Sequence, residues 1–266
     1  MKIRPIRRSP TVALAVWAAM IPLWVHCQTN PGPTVLILTN APPKPLPHWE
    51  SALTASLALT RGNSRTLTAS GAATTQEKWD DNQIKLGLDG TYGQQAVGTN
   101  TSVNPNMIHG FGQYDRFFAR RWFGYLHGEG LHDDVADIAY RASASPGLGY
   151  SIIKAPSGDL NVEAGPGYVW QRQGGEVDNF FTMRVAESFT HKFNDRAKIW
   201  EKTEWLPKVE DIHYYVVNSE AGVSAALTSD NKLALTVTVD YSYNSQPATG
   251  RLKNDTILKT GITYAF

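Results

Sequence analysis

Thr256-Ile-Leu-Lys-Thr-Gly-Ile-Thr-Tyr-Ala-Phe266, the last eleven residues of the chain, has a period of two. Leu258, Ile262, Tyr264 and Phe266 fall on one side of an extended backbone, and Lys259, Gly261, Thr263 and Ala265 on the other. A strand has a side-chain period of two, so one face of this segment is apolar and ends in aromatics, while the other is small or polar. That pattern suits a lipid-facing barrel strand and equally suits the last strand of a soluble sheet. The remaining strands must decide between them.

Twelve candidate strands, separated by turn chemistry, run from Trp49 to the C-terminus: 49–59, 66–79, 83–94, 107–117, 122–133, 140–153, 160–172, 179–193, 197–209, 214–227, 233–244 and 254–266. Asp80-Asp81, Gly174-Gly175, Asn194-Asp195 and Ser229-Asp-Asn231 supply residues that tolerate tight turns. Leu233, Leu235, Val237, Val239, Tyr241 and Tyr243 share one face, opposite Ala234, Thr236, Thr238, Asp240, Ser242 and Asn244. Phe181, Met183, Val185 and Phe189 likewise oppose Thr182, Arg184, Ser188 and Lys192. Many of these runs extend over 11–15 residues, whereas strands of soluble sheets run to about 5–6. Crossing a bilayer at a tilt takes about 9–11. Aromatics gather near strand ends, at Trp79, Phe117, Trp122, Trp170, Phe180, Phe193, Tyr214 and Tyr243, where interfacial girdles would lie. The expected fold is therefore all-β: a single antiparallel transmembrane barrel of about twelve strands, closed between 49–59 and 254–266.

Composition agrees. Of 266 residues 11% are aromatic, 22 are Gly and only 18% are charged, a mixture that fits many short turns better than a helical bundle. Residues 1–27 read as a signal peptide, with Lys2, Arg4, Arg7 and Arg8 ahead of an apolar run from Thr11 to Val25; the alternative is a retained anchor. Residues 28–48 are a Pro-rich periplasmic linker, and 49–266 are the barrel. The first 27 residues carry four of the 25 Lys and Arg and none of the 24 Asp and Glu, so the remainder is acidic by three charges. It also lacks cysteine, because Cys27 is the only one in the chain. No nucleic-acid partner is implied by that charge, and no disulfide framework by that composition. With both ends in the periplasm, the odd-numbered connections face outward, and they include the two longest, 95–106 and 245–253.

The terminal strand also resembles the C-terminal signal that bacterial outer-membrane proteins present to their assembly machinery, with Leu258, Ile262, Tyr264 and Phe266 as its apolar row. In mid-chain, Tyr114-Asp-Arg-Phe-Phe118, Arg121-Trp-Phe-Gly-Tyr125, Asp133-Asp134, Arg141 and Pro146-Gly-Leu-Gly-Tyr150 resemble the core of the salt-induced outer-membrane proteins, a family known mainly as a domain of unknown function. Trp49-Glu50, Thr60-Arg-Gly-Asn-Ser64 and Glu163-Ala-Gly-Pro-Gly-Tyr168 fit it too. The resemblance covers roughly Trp49 to Phe266 and implies an outer-membrane barrel of a Gram-negative-type bacterium linked to salt or osmotic stress. It brings no substrate and no catalytic residues. Pro146 departs from the family's usual run, and a bulge or strand edge is expected there.

The candidate pore lining is charged: Arg184 and Lys192 share one face, and Lys198, Lys202, Glu204 and Lys208 another on the next strand. They could line an aqueous passage for ions or small solutes, or plug a closed barrel with ion pairs. No cofactor, metal or catalytic group is expected. His127 and Glu129 point the same way but His132 points opposite, a poor three-ligand set from one stretch. Ser188 and His191 fall on opposite faces, which disfavours a nucleophile–base pair. The expected function is a small passive porin-like pore or a structural envelope protein, with the lipid bilayer and the outer-membrane assembly machinery as partners. An outer-membrane hydrolase and a soluble exported β-protein binding apolar ligands are the alternatives.

Overall fold

A computed structural model describes residues 49–61, 65–93, 95–97, 101–103 and 106–266. The expected signal peptide and linker, residues 1–48, lie outside them, as do residues 62–64 of the first turn. The strands are β1 (Glu50–Arg61), β2 (Arg65–Trp79), β3 (Asn82–Tyr92), β4 (Gln95–Val97), β5 (Thr101–Val103), β6 (Asn106–Phe117), β7 (Trp122–Asp133), β8 (Ile138–Ala155), β9 (Gly158–Gln173), β10 (Glu176–Asn194), β11 (Ala197–Pro207), β12 (Tyr215–Ala226), β13 (Leu233–Asn244) and β14 (Asn254–Ala265). All but β4 and β5 join one closed antiparallel barrel of twelve strands, each paired with its chain neighbours. The segment read as a plain 95–106 loop instead contains the two-stranded β4–β5 ribbon.

Closure falls where the terminal alternation placed it. β14 pairs with β13 on one side and with β1 on the other, from Ala52↔Ala265 to Arg61↔Thr256. Phe266 extends the seam by exchanging backbone hydrogen bonds with Ser51 at 2.9 and 3.2 Å. A closed barrel leaves no unpaired edge, the condition a sheet must meet inside hydrocarbon.

The ladder register sorts every strand into an outward and an inward row. Leu53, Leu57, Leu88, Leu126, Phe181, Val185, Val239, Leu258 and Ile262 point outward and are exposed. The inward row holds Asp115, Ser145, Glu163, Gln171, Thr182 and Arg184, all buried. This is the inverse of a soluble core, and it places the apolar row against lipid. The aromatic girdle divides by the same rule. Trp122 packs at a tilt against Tyr150 (4.8 Å), and Tyr215 stacks on Tyr243 (5.6 Å), on the outer surface. Phe117, Phe180 and Tyr214, read from sequence as girdle residues, belong to the interior: Phe180 packs on Tyr214 with Val169, and Phe117 on Phe123. Proximity to a strand end had outweighed side-chain parity for those three.

Pro146 corrects another expectation. It sits in mid-strand, paired with Leu126 of β7, at neither an edge nor a bulge. Its effect falls on the opposite side, where β8–β9 pairing lapses after Ala144↔Tyr168 and resumes in the same register at Leu148↔Ala164. By that register Pro146 stands opposite Pro166 of β9, and neither proline has an N–H to donate, so the ladder skips them. The register shifts of β8 against β9 lie elsewhere, between Ile138 and Tyr140 and between Ser151 and Ile153. Inward aromatic rings then lie flat over glycines of adjacent strands. A Cβ on Gly149 would come 2.1 Å from the Phe123 ring, and one on Gly87 2.2 Å from that of Phe111. Rings laid over glycine fill the lumen sideways rather than along its axis.

Candidate functional site

The candidate site is the lumen, and its centre is built by three consecutive strands. Arg184 of β10 donates through Nη1 to Glu163 of β9 at 2.7 Å and through Nε to Glu204 of β11 at 2.5 Å. Its guanidinium also stands 5.2 Å from the centroid of the Tyr125 ring. Period-two alternation puts all three groups inward, and antiparallel register brings them to one height. A guanidinium offers donors on two edges, which lets one cation serve two carboxylates. With Arg184 only 6% exposed, that pairing is what makes its burial tolerable.

Gln113 links this triad to its neighbours. Its amide nitrogen donates to Asp115 and to Glu163, both at 2.8 Å, which leaves its oxygen to accept from His127 Nδ1 at 3.1 Å. Asp115 is further paired to Lys85 at 3.1 Å. On β7, Glu129 accepts from the Ser143 hydroxyl at 3.2 Å, and its other oxygen faces His109 Nε2 at 3.7 Å and His127 Nε2 at 3.9 Å. His109 continues to Asp89 at 2.9 Å, and Lys259 joins Asp89 (3.7 Å) to Asp240 (2.6 Å). The result is one connected set of charges that reaches from β9–β11 round to β13 and β14.

The structure brings together only part of the candidate pore lining. Arg184 and Glu204 are partners at the centre, and Lys202 lies near them, 3.8 Å from Glu220 and over the Phe111 ring. Lys192 and Lys198 are a register pair close to the Asn194-Asp195 turn, at the end of the barrel where β1 starts and β14 ends. Neither joins an ion pair among the described residues. Lys208 is at the opposite end, 3.1 Å from Asp178 and above Phe180 and Tyr214. Leu258, Ile262, Tyr264 and Phe266 are exposed on the outer surface.

Other readings resolve as geometry. Ser188 points inward and His191 outward, so they form no pair. His132 points outward and bonds Ala139 and Asp134, while Asp133 accepts the amides of Val135 and Ala136 and closes the turn. The sequence reading missed the lumen positions of Asp89, His109, Gln113 and Asp115. Each sits in an inward slot with an outward apolar or aromatic residue on one side only, such as Ile108 beside His109 and Tyr114 beside Gln113 and Asp115. That alternation was present but diluted by Gly110 and Gly112 in outward slots, which carry no apolar mark.

Solved structures share this architecture. The NanC porin matches with a TM-score of 0.52 and 14% identity, over 80% of this chain and 98% of its own. The KdgM porin, in complex with disordered oligogalacturonate, matches at 0.46 and 10%, over 81% and 99%. The outer-membrane channel DcaP of Acinetobacter baumannii matches at 0.42 and 8%, over 83% and 97%. At such identities the likeness concerns the fold alone. No curated protein matches the sequence. The family profile for a protein of unknown function, DUF481, matches residues 53–266, and the chain belongs to that family.

Proposed function

We propose that the protein is a narrow passive channel of the bacterial outer membrane that passes small ions and solutes. The carrying observation is that inward-pointing charges remain open to water. The side chains of Lys202, Glu220 and Lys85 are 54%, 41% and 33% exposed, although their strands direct them into the lumen. A group that points inward can be solvated only by water inside the barrel. Between β3 and β13, the neighbouring strands β2, β1 and β14 present Ala72, Thr54, Ser56 and Thr263, short side chains that leave space along that wall. Charged groups lining an aqueous passage set which ions traverse it.

The crossing ion pairs favour a second reading, a side-chain-braced envelope protein that conducts nothing. Single-channel recording from the purified, folded barrel in planar bilayers separates the two. Discrete small conductance steps support the channel, and silence from correctly folded protein supports the brace. The link to salt or osmotic stress implied by the family resemblance fits a passage for small ions, and catalysis has no part in this reading.

A further inference from the structure

We infer that the lumen contains a binding site for a first-row divalent cation such as Zn²⁺, formed by His127 and Glu129 of β7 with Glu204 of β11. One donor atom from each of the three lies within 4.8 Å of the others. The two strands stand four apart around the barrel, so the set is assembled only by folding. It does not depend on the channel reading.

The state of His127 points to a ligand. Gln113 spends both amide hydrogens on Asp115 and Glu163, so its oxygen can only accept, and His127 Nδ1 must be the protonated donor. In the neutral ring this leaves Nε2 with a bare lone pair. That atom is buried and has no hydrogen-bond partner, and the His127 residue is 7% exposed. It faces Glu129 at 3.9 Å, too far for a hydrogen bond and unfavourable as lone pair against carboxylate. A cation between them turns that repulsion into coordination. Metal-bound histidines commonly donate their other ring nitrogen to an oxygen that fixes the tautomer, the role Gln113 fills.

The carboxylates are arranged to match. Glu129 has one oxygen held by Ser143 and the other set between His127 at 3.9 Å and His109 at 3.7 Å. Glu204 has one oxygen on Arg184 and the second uncommitted among the described contacts. One imidazole, two carboxylates and a water make a donor set that suits Zn²⁺, with bonds of about 2.0–2.2 Å. Drawing the three atoms to the roughly 3.4 Å spacing of a tetrahedral site takes side-chain rotation of about an ångström or so. Glu129 and Glu204 keep 12% and 13% of their side chains exposed to the lumen, which gives the ion a route in. Arg184 opposes the cation, but Glu163 shares that charge.

The test is titration of Zn²⁺ into the full-length barrel in detergent, followed by calorimetry, with folding checked by heat-modifiable migration. Wild type should take up about one Zn²⁺ per chain, and His127→Gln and Glu204→Gln should each weaken it by at least roughly tenfold. His213→Ala, at a residue 92% exposed in its side chain, should leave binding unchanged. Co²⁺ should give visible d–d absorption that His127→Gln abolishes. Absence of stoichiometric Zn²⁺ uptake by folded wild type would overturn the site. Equal binding by folded His127→Gln or Glu204→Gln would overturn it as well.

Discussion

Lys202 on β11 holds its ammonium 5.8 Å from the centroid of the Phe111 ring on β6, across a barrel in which those strands stand five apart out of twelve. Two inward side chains therefore meet near the middle of the lumen. One is anchored, since Gly87 allows the Phe111 ring to lie close to β3. The other is 54% exposed in its side chain. That contact narrows the lumen at its height, with Lys202 as its more solvent-exposed partner.

Arg184 should carry more of the stability than any other charged lumen residue. Arg184→Met removes the cation between Glu163 and Glu204 and leaves two carboxylates facing one another in a buried setting. Breaking a buried pair on one side costs about 3–5 kcal/mol. Urea unfolding in detergent, read by heat-modifiable migration, should show a loss of that size. The double variant with Glu204→Gln should recover part of it.

Lys192 and Lys198 face each other across β10 and β11 without a counter-ion among the described residues. Like charges directly opposed on a ladder are unfavourable, so the pair brings a positive potential to the mouth at the end where β1 starts and β14 ends. Replacing both with Gln should move the reversal potential in a KCl gradient toward cation preference, with little change in folding. An unmoved reversal potential would separate this pair from ion selection.

The outer surface makes a third prediction. Leu88 is 58% exposed at the middle of β3 and points away from the lumen. In lipid, Leu88→Arg should cost about 2–4 kcal/mol, while the same change in a water-facing row would be nearly neutral. Folding into phosphocholine vesicles distinguishes these outcomes.

At the seam, Phe266 contributes two backbone hydrogen bonds to Ser51 and an exposed ring beside Tyr264. Ten further pairs between β1 and β14 remain without it. Deleting Phe266 should lower the amount of barrel assembled in cells, while the fraction that does assemble should unfold at nearly the wild-type urea concentration.

The sequence made the fold legible because the outward rows of strands such as β13 and β14 are regular. Leu233 to Tyr243 alternates without interruption and Leu258 to Phe266 with Thr260 as its one polar outward residue, and their pairing follows from chain order alone. The lumen was legible only strand by strand. Arg184 and Glu204 were both marked as inward, but their contact depends on register between β10 and β11, which side-chain parity does not supply. Glu204 beside His127 was further out of reach, since they approach across the barrel and not along a ladder. Phe180 and Tyr214 were misplaced because aromatics near a strand end look alike whether they face lipid or lumen.

The channel reading is tested most directly by planar-bilayer recording of the folded wild-type barrel beside Phe111→Ala. Removing the Phe111 ring takes away the anchored half of the central contact, with Gly87 behind it and Lys202 in front. The account predicts small discrete steps for wild type and distinctly larger ones for Phe111→Ala. Electrical silence from both, with heat-modifiable migration intact, would contradict it.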